Sequence, residues 1–336
     1  MTSPRRPNVY TVAERAGVSI ATVSRVLSGG ERVAPDTRRR VLDAIEALQW
    51  RPNRLARALA QRGGEAVAIV FTDLSGLYYA QVINGFEQHT IERRAAVLVL
   101  GTHGRDDSER LVLDLAERVD GLVVMGGTVP DVAVAALEAS RVPLVLLARP
   151  PVGSAPAIRA DNRRSAVELA AHLLAHGRRR LVFLGDPGSS PDGAERWEGL
   201  VEACAAAGLP RPATVATDGF EPEHGHKALL RELEAGTEFD AVFCVNDQVA
   251  SGAIRAAGSF GLEVPRDLAV TGWDDIPIAA HLVPPLTTVR QPMRELGARS
   301  AEMLFERIAG RAVPSLTLPT ALITRQSCGC GVDQGG

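Results

Sequence analysis

The sequence predicts an α/β protein in two parts: a small helical head and a two-lobed body built on parallel sheets. Three observations predict it. Apolar residues in the first 62 positions recur at helical spacing, interrupted by a turn at Gly17. From residue 64 onward, continuous Val/Leu/Ile runs alternate with helical patterns, in two blocks that split near Asp161. Charge divides the same way: residues 1–62 hold 12 arginines and five acids, a net of +7, and the remainder carries −10. A basic head on an acidic body points the head toward a polyanion.

The chain's 336 residues exceed one ordinary domain and suit two or three. With 46% apolar and 23% charged residues, wholesale disorder is excluded. The longest uncharged run, Ile276 to Val289, falls short of the roughly 18–20 residues a membrane span needs and contains three prolines. Met1 to Tyr10 has two arginines and no apolar core, so no secretory signal is expected. Four cysteines do not make a disulfide framework, and a cytoplasmic location is expected.

In the head, Thr11-Val12-Ala13-Glu14 matches a capping box for a helix running to about Ala16. Gly17 permits a sharp turn and Val18 packs inside it. Ser19 caps a second helix, Ile20 to about Leu27. Helix, glycine turn and helix within about 17 residues is the helix-turn-helix pattern. A third helix starts at Pro35 behind a weak cap, Ala34, and runs to about Leu48, with Val41, Leu42, Ile45 and Leu48 as its apolar stripe. Val23 and Val26 of the second helix face inward with Val12 and Ala13, which leaves Ile20, Ala21, Thr22, Ser24 and Arg25 facing out. Arg25 can bind a guanine edge through two parallel hydrogen bonds, and Ile20 and Ala21 suit a thymine methyl. Ser19, Thr22 and Ser24 suit phosphates.

The run from Val9 to Leu27 closely resembles the N-terminal signature of the LacI/GalR family of bacterial transcription regulators. The likeness continues through Val33 to Leu48 and from Arg51 to Ala60. It implies a DNA-binding head over residues 1–52, with Thr11 and Arg32 joining the contacts, then a hinge helix and linker over 53–63. In the family the hinge helix orders on operator DNA and enters the minor groove, a leucine at the position of Leu59 wedging between base pairs. The segment fits: it is too short to be a stable helix alone, it carries Asn53, Arg54 and Arg57, and a leucine wedge helps kink a duplex. Packing between protomers is the other reading of Leu59.

The body, residues 64–327, shows strand-like runs at Ala66–Thr72, Ala95–Thr102, Gly121–Gly126, Pro143–Ala148, Arg180–Asp186, Asp240–Asn246 and Leu268–Gly272. Helical patterns lie between them, among others at Tyr78–Glu92, Arg163–His176, Ala194–Ala207 and Val249–Phe260. Ligands of such sheets bind in the crevice at the strands' C-terminal ends. Neither G-x-G-x-x-G nor G-x-x-x-x-G-K-[ST] follows a strand, and no cofactor is expected. Cys328-Gly329-Cys330 lacks a second ligand pair, so it is assigned no metal and placed in a loose tail, 328–336. Asp274 and Asp275 are adjacent, but on an extended segment neighbours point opposite ways and do not share a proton. His281 lies near them without a nucleophile motif, so no enzyme is expected.

This body also resembles the family's effector domain, which is similar to periplasmic sugar-binding proteins. The likeness is carried by Thr72-Asp73-Leu74-Ser75, Arg159-Ala160-Asp161-Asn162, Val245-Asn246-Asp247-Gln248, Gly272-Trp273-Asp274-Asp275 and Pro284 to Pro292, with the crossover between lobes near Gln291. Gly76-Leu77-Tyr78-Tyr79 departs from the Asn-Pro-Phe pattern common among relatives and changes the pocket wall. By position the effector contacts are Asp73, Tyr79, Arg149, Arg196, Phe220, Asn246, Asp274 and Gln291. Donors, acceptors and aromatic faces of this kind suit a sugar. Alternative readings are Asn246 and Asp247 as helix caps and Arg149 paired with Asp161. The resemblance implies a homodimer on pseudo-palindromic operator double-stranded DNA, controlled by a small sugar, with a purine or other small effector as the alternative. A solute-binding protein or an enzyme on the same scaffold is the reading from another class, opposed by the basic head and the absence of a catalytic constellation.

Overall fold

The computed structural model describes residues 9–27, 33–48 and 65–331, with Val9 described by its backbone alone. The chain divides into two units, residues 1–65 and 66–336. The first unit contains α1 (Val9–Ala16), α2 (Ile20–Leu27) and α3 (Pro35–Ala47). Their shared core is Val12, Ala13, Ala16, Val23, Val26, Val41 and Ala44. At Gly17, φ is +64°, and the Val18 N–H reaches back to Ala13 O at 3.0 Å, which closes α1 with Val18 packed inward. Ser19 Oγ accepts the Thr22 N–H at 3.2 Å and caps α2.

Two expectations for the head need correction. Because α1 begins at Val9, Thr11 and Glu14 lie within the helix, and the capping box does not start it. Leu42 is 50% exposed. The buried stripe of α3 runs through Val41, Ala44, Ile45 and Leu48, the i, i+3, i+4, i+7 set, and Leu42 lies about 100° round the helix from Val41. The expectations placed on Arg32, Asn53, Arg54, Arg57 and Leu59, and the hinge helix and linker as a whole, lie outside the described residues.

In the second unit, one lobe carries β1 (Ala66–Phe71), α4 (Leu77–Glu92), β2 (Ala96–Gly101), α5 (Ser108–Ala116), β3 (Gly121–Met125), α6 (Asp131–Ala139), β4 (Leu144–Leu147) and β5 (Ala157–Ala160). The chain crosses at Asp161 into a second lobe: α7 (Asn162–Ala175), β6 (Leu181–Leu184), α8 (Pro191–Ala206), β7 (Ala213–Val215), α9 (Pro222–Glu234), β8 (Ala241–Cys244), α10 (Asp247–Ser259) and β9 (Ala269–Thr271). It then runs through β10 (Thr288–Arg290) back to the first lobe for α11 (Met293–Ile308) and β11 (Leu316–Leu318), and returns through β12 (Ala321–Ile323). The chain passes between the lobes at Asp161 and again near Gln291. The third crossing, near Thr320, was not predicted.

The first lobe's sheet has the order β11-β5-β4-β3-β1-β2, all parallel, with Ile69 paired to Val99 on one side and Val123 on the other. The second lobe's sheet, also parallel, runs β7-β6-β8-β9, and β10 and β12 form an antiparallel pair. Strands such as β1 and β3 are buried throughout because helices cover both faces, which explains their unbroken apolar sequence. On one face Val67, Ile69 and Phe71 meet Leu296, Leu304 and Phe305 of α11; on the other Ala68 and Val70 meet Val112 and Val134. Each such fully buried side chain contributes about 1.5–3 kcal/mol. α4 and α11 approach backbone to backbone: a Cβ on Gly85 would lie 2.0 Å from Arg294 O, and one on Gly297 2.0 Å from Val82 O.

The segment expected to be a loose tail is packed as far as Cys330, one residue short of the last one described there. Gln326 and Ser327 donate their N–H groups to Pro285 O, and Ser327 Oγ bonds Val270 O at 2.6 Å. Cys328 is fully buried in the second lobe's core. Apolar periodicity is weak over so short a stretch, whereas the backbone bonds that hold it come from the distant 285–287 loop. No helix among the described residues is long and apolar enough to cross a membrane.

Candidate functional site

On α2 the side chains of Ile20, Ala21, Ser24 and Arg25 are exposed together, while Val23 and Val26 are buried. Positions i, i+1, i+4 and i+5 share one face, so burial of the valines dictates this display. Thr22 is half-buried and its hydroxyl lies 2.9 Å from Ser19 Oγ. The expected outward face is therefore present, with Ser19 and Thr22 engaged in capping at its start. Thr11 is half-buried within α1.

In both sheets of the body the chain reverses direction of winding, between β1 and β3 in one lobe and between β6 and β8 in the other. Crevices open at such switch points. The two face one another across a single cleft of about 270 Å³. One wall comes from the ends of β1, β3 and β4 and the start of α4: Thr72, Asp73, Tyr78, Tyr79, Gly126 and Ala148. The other comes from the starts of α8, α9 and α10 and the turn after β9: Ser190, Asp192, Arg196, Phe220, His224, Asn246 and Asp274 among them.

Arg196 is the cation at the centre, 6% exposed. Its Nε donates to Asn162 Oδ1 at 3.1 Å and its Nη1 to Val245 O at 2.7 Å, and the guanidinium lies 4.8 Å over the Trp273 ring. Asp192 stands 3.6 Å from its Nη2. Asp274, also in the cleft lining, accepts from Gln291 Nε2 at 2.6 Å. Burial pushes both carboxyls up to about 6, against the pull of Arg196, and the charges of Glu195 and Asp274 raise Asp192 further. The site thus holds one fixed positive charge together with two buried acids, an arrangement that orders hydroxyl donors and acceptors of a polar ligand.

Of the eight expected effector residues, six line the cleft: Asp73, Tyr79, Arg196, Phe220, Asn246 and Asp274. Asp73 spends its oxygens on its own loop, accepting from Leu74 N, Ser75 N and Ser75 Oγ. Burial opposes ionisation there, but these hydrogen bonds hold its carboxyl below the usual carboxylate value. Tyr79 Oη lies 3.2 Å from Thr72 Oγ1. Asn246 does cap α10, accepting from Val249 N at 2.8 Å, and also donates to Phe220 O at 3.1 Å. The capping and lining readings hold together.

The other two do not reach the cleft. Arg149 is buried, but its guanidinium turns to Asp131 and Val129 O, so the anticipated pairing with Asp161 is also absent. Gln291 lies behind Asp274 and positions it. Asp274 and Asp275 do point to different partners, but the segment is not extended: φ is +106° and +56°. Asp275 binds Arg290 and Arg325, each at 2.7 Å.

Sequence reasoning missed Asp192, Tyr78 and His224. Tyr78 Oη and His224 Nδ1 are buried without a hydrogen-bond partner among the described residues and line the cleft. Asp192 had a readable signal, the i, i+4 spacing from Arg196 on a helix start. Tyr78 and His224 had none, because their placement depends on how the two lobes face each other.

Comparison with known proteins places these observations in context. Residues 8–53 match the model of bacterial regulatory proteins, lacI family, and residues 170–328 that of the periplasmic binding protein-like domain. Catabolite control protein A of Priestia megaterium is 32% identical over 95% of this chain and 98% of its own length. The structure of a transcriptional regulator CelR–cellobiose complex superposes with TM-score 0.71 at 30% identity, covering 96% of this chain and 100% of that one. A lac repressor dimer bound to operator and the anti-inducer ONPF gives TM-score 0.76 at 29% identity, over 96% and 99%.

Proposed function

Since the chain belongs to the lacI family of bacterial regulatory proteins, we propose that it is a homodimeric repressor of carbohydrate-use genes, released from or driven onto its operator by a small sugar in the body's cleft. The observation that carries the sugar reading is the group of Asp192, Arg196 and Asp274 in a cleft of about 270 Å³, which Phe220 and Tyr79 also line. Ionised acids accept from sugar hydroxyls, Arg196 and the Asn246 amide donate to them, and an aromatic ring covers the apolar face of a pyranose. The CelR relative's complex with cellobiose and the lac repressor dimer's complex with operator support the same assignment.

In this reading two heads occupy the half-sites of a pseudo-palindrome, with Arg25 on a base edge and Ser24 near the phosphates. Arg54, Arg57 and Leu59 then enter the minor groove between them. The effector acts by preferring one angle between the lobes, and a coupling of about 1–3 kcal/mol, roughly 5- to 150-fold in operator affinity, is what such regulators display.

The test is binding of purified protein to pooled genomic fragments at fixed salt with excess competitor, repeated with a panel of sugars and purines. Enrichment of a palindrome abolished by one sugar establishes an inducible repressor. Enrichment that requires the sugar establishes a co-repressed one. Release by a purine alone reassigns the effector, and no specific enrichment under any ligand overturns the regulator reading.

A further inference from the structure

On the side of the second lobe, the helix α7 and the segment 326–331 bring four metal-ligating side chains together. His172 and His176 are spaced i, i+4 and present their rings on one helix face, centroids 4.7 Å apart. Cys328 and Cys330 follow more than 150 residues later, and the ligating atoms of all four lie within 4.8 Å of one another. His172 Nε2 is 3.3 Å from Cys328 Sγ and 3.4 Å from Cys330 Sγ, and His176 Nε2 is 3.2 Å from Cys330 Sγ.

Hydrogen bonding accounts for this only if one proton is shared between two sulfurs. A neutral imidazole nitrogen accepts one proton, yet His172 Nε2 faces two sulfurs at nearly equal range. A tetrahedral ion also accounts for it. With Zn–S near 2.3 Å and Zn–N near 2.0–2.1 Å, neighbouring ligand atoms stand about 3.3–3.8 Å apart, so the observed sulfur–nitrogen separations are close to tetrahedral edges. Two thiolates also balance a divalent cation, leaving the half-buried site neutral. The backbone is shaped for it: Gly329, between the cysteines, has φ +111°, a conformation disfavoured for other residues, and the turn puts both sulfurs on the side of α7. Thr287 Oγ1, 3.0 Å from Cys328 Sγ, supplies an outer contact.

We propose that His172, His176, Cys328 and Cys330 bind one Zn²⁺, which fastens segment 326–331 to α7 as a structural clasp separate from the effector cleft. A two-sulfur, two-nitrogen tetrahedral set selects zinc over magnesium or calcium. The second ligand pair thought to be missing from the sequence is thus on a helix far upstream. Its signal was the H-x-x-x-H spacing, unremarkable until the fold brings Cys328 beside it.

The experiment uses full-length protein without a histidine tag, purified under reductant and without chelator. Elemental analysis is expected to find one zinc per chain. After chelator treatment, Co²⁺ is expected to give the visible bands of a tetrahedral site with thiolate ligands, bleached by Zn²⁺, and zinc is expected to raise Tm. Cys330→Ser and His176→Ala alter partly exposed residues and are checked for native circular dichroism. Each is expected to weaken metal binding at least about 100-fold. Substoichiometric zinc with no cobalt spectrum in the unaltered protein overturns the proposal. So does stoichiometric binding that survives both substitutions, or a Cys328–Cys330 disulfide that persists under reductant.

Discussion

Replacing Asp274 by asparagine is expected to stabilise the protein at pH 7.5, although Asp274 sits at the centre of the cleft. The exchange conserves shape. Asparagine tolerates the φ of +106° about as well as aspartate, and its carbonyl oxygen can keep the 2.6 Å bond from Gln291. What changes is charge. Burial pushes the Asp274 carboxyl up to about 6 from an ordinary 3.8, outweighing Arg196 and the Gln291 bond. Two pH units of elevation correspond to about 3 kcal/mol. Between pH 3.8 and 6 the folded chain holds a proton that the unfolded chain has released, so this group's contribution falls as pH rises through that window. Above pH 6 the whole penalty is present.

Arg196 loses the longer-range attraction of one carboxylate in the variant but keeps its ion pair with Asp192. The net gain at pH 7.5 is therefore about 1–3 kcal/mol, shrinking to about 1 kcal/mol or less at pH 4.5. Urea unfolding of both proteins at the two pH values measures it. Trp197 and Trp273 both pack in the second lobe, so their fluorescence reports on the region affected. A variant less stable than the parent at pH 7.5, or a difference that does not change with pH, refutes the reasoning. The same variant should bind effector more weakly, since a buried charge retained at a cost in stability is a charge kept for a ligand.

Three other outcomes are expected. Arg25→Ala should reduce the preference for operator over random DNA by about 1–3 kcal/mol in competition binding; equal loss on both DNAs would assign Arg25 to phosphate. Leu59→Ala should weaken operator binding and leave sugar affinity intact, and unchanged operator binding would remove the wedge role. Gly76→Ala should cost about 1–3 kcal/mol in urea unfolding, because φ +92° with ψ 157° is a glycine conformation, and its Cβ would also lie 2.7 Å from Gln248 Oε1 across the cleft. Unaltered stability would show that Gly76 is not held in a glycine-only conformation.

Much of the fold was legible because it rests on local patterns. Strands such as β1, β3, β4, β6 and β8 are continuous apolar runs, and the predicted limits of β1, Ala66–Thr72, differ from the observed Ala66–Phe71 by one residue. The short β5, β7 and β11, by contrast, carry Arg159, Thr214 and Thr317 and were not among the predicted runs. Gly17, Ser19 and Pro35 carry their own turn and cap chemistry, so the head could be drawn from them. What failed depended on distant partners. Arg149 follows β4 as expected, but Asp131 on α6 turns it from the cleft. The Cys-Gly-Cys segment has little apolar weight, and only the 285–287 loop and α7 make it ordered. Adjacency in sequence gave the right separation of Asp274 and Asp275 for the wrong reason, since the backbone is left-handed there rather than extended.

The cleft's chemistry is tied to the three chain segments that cross between the lobes. Arg196 holds Asn162, the first residue of α7 after the crossing at Asp161, through the 3.1 Å bond to Oδ1. Asp274 is held by Gln291, in the second crossing, and its own N–H donates to Val289 O at 2.8 Å in β10. The third crossing is bonded to the first: Thr320 Oγ1 donates to Asp161 O at 3.0 Å and lies 2.6 Å from Ser165 Oγ. A ligand that draws Arg196 or Asp274 by a few tenths of an ångström therefore pulls on residues whose backbone sets the lobe angle. A ligand shifts such an equilibrium only by its differential affinity for the two states. On the proposed function, contacts to these two side chains would supply that difference, whereas contacts to Asp73, held by its own loop and by His103, would contribute affinity without it.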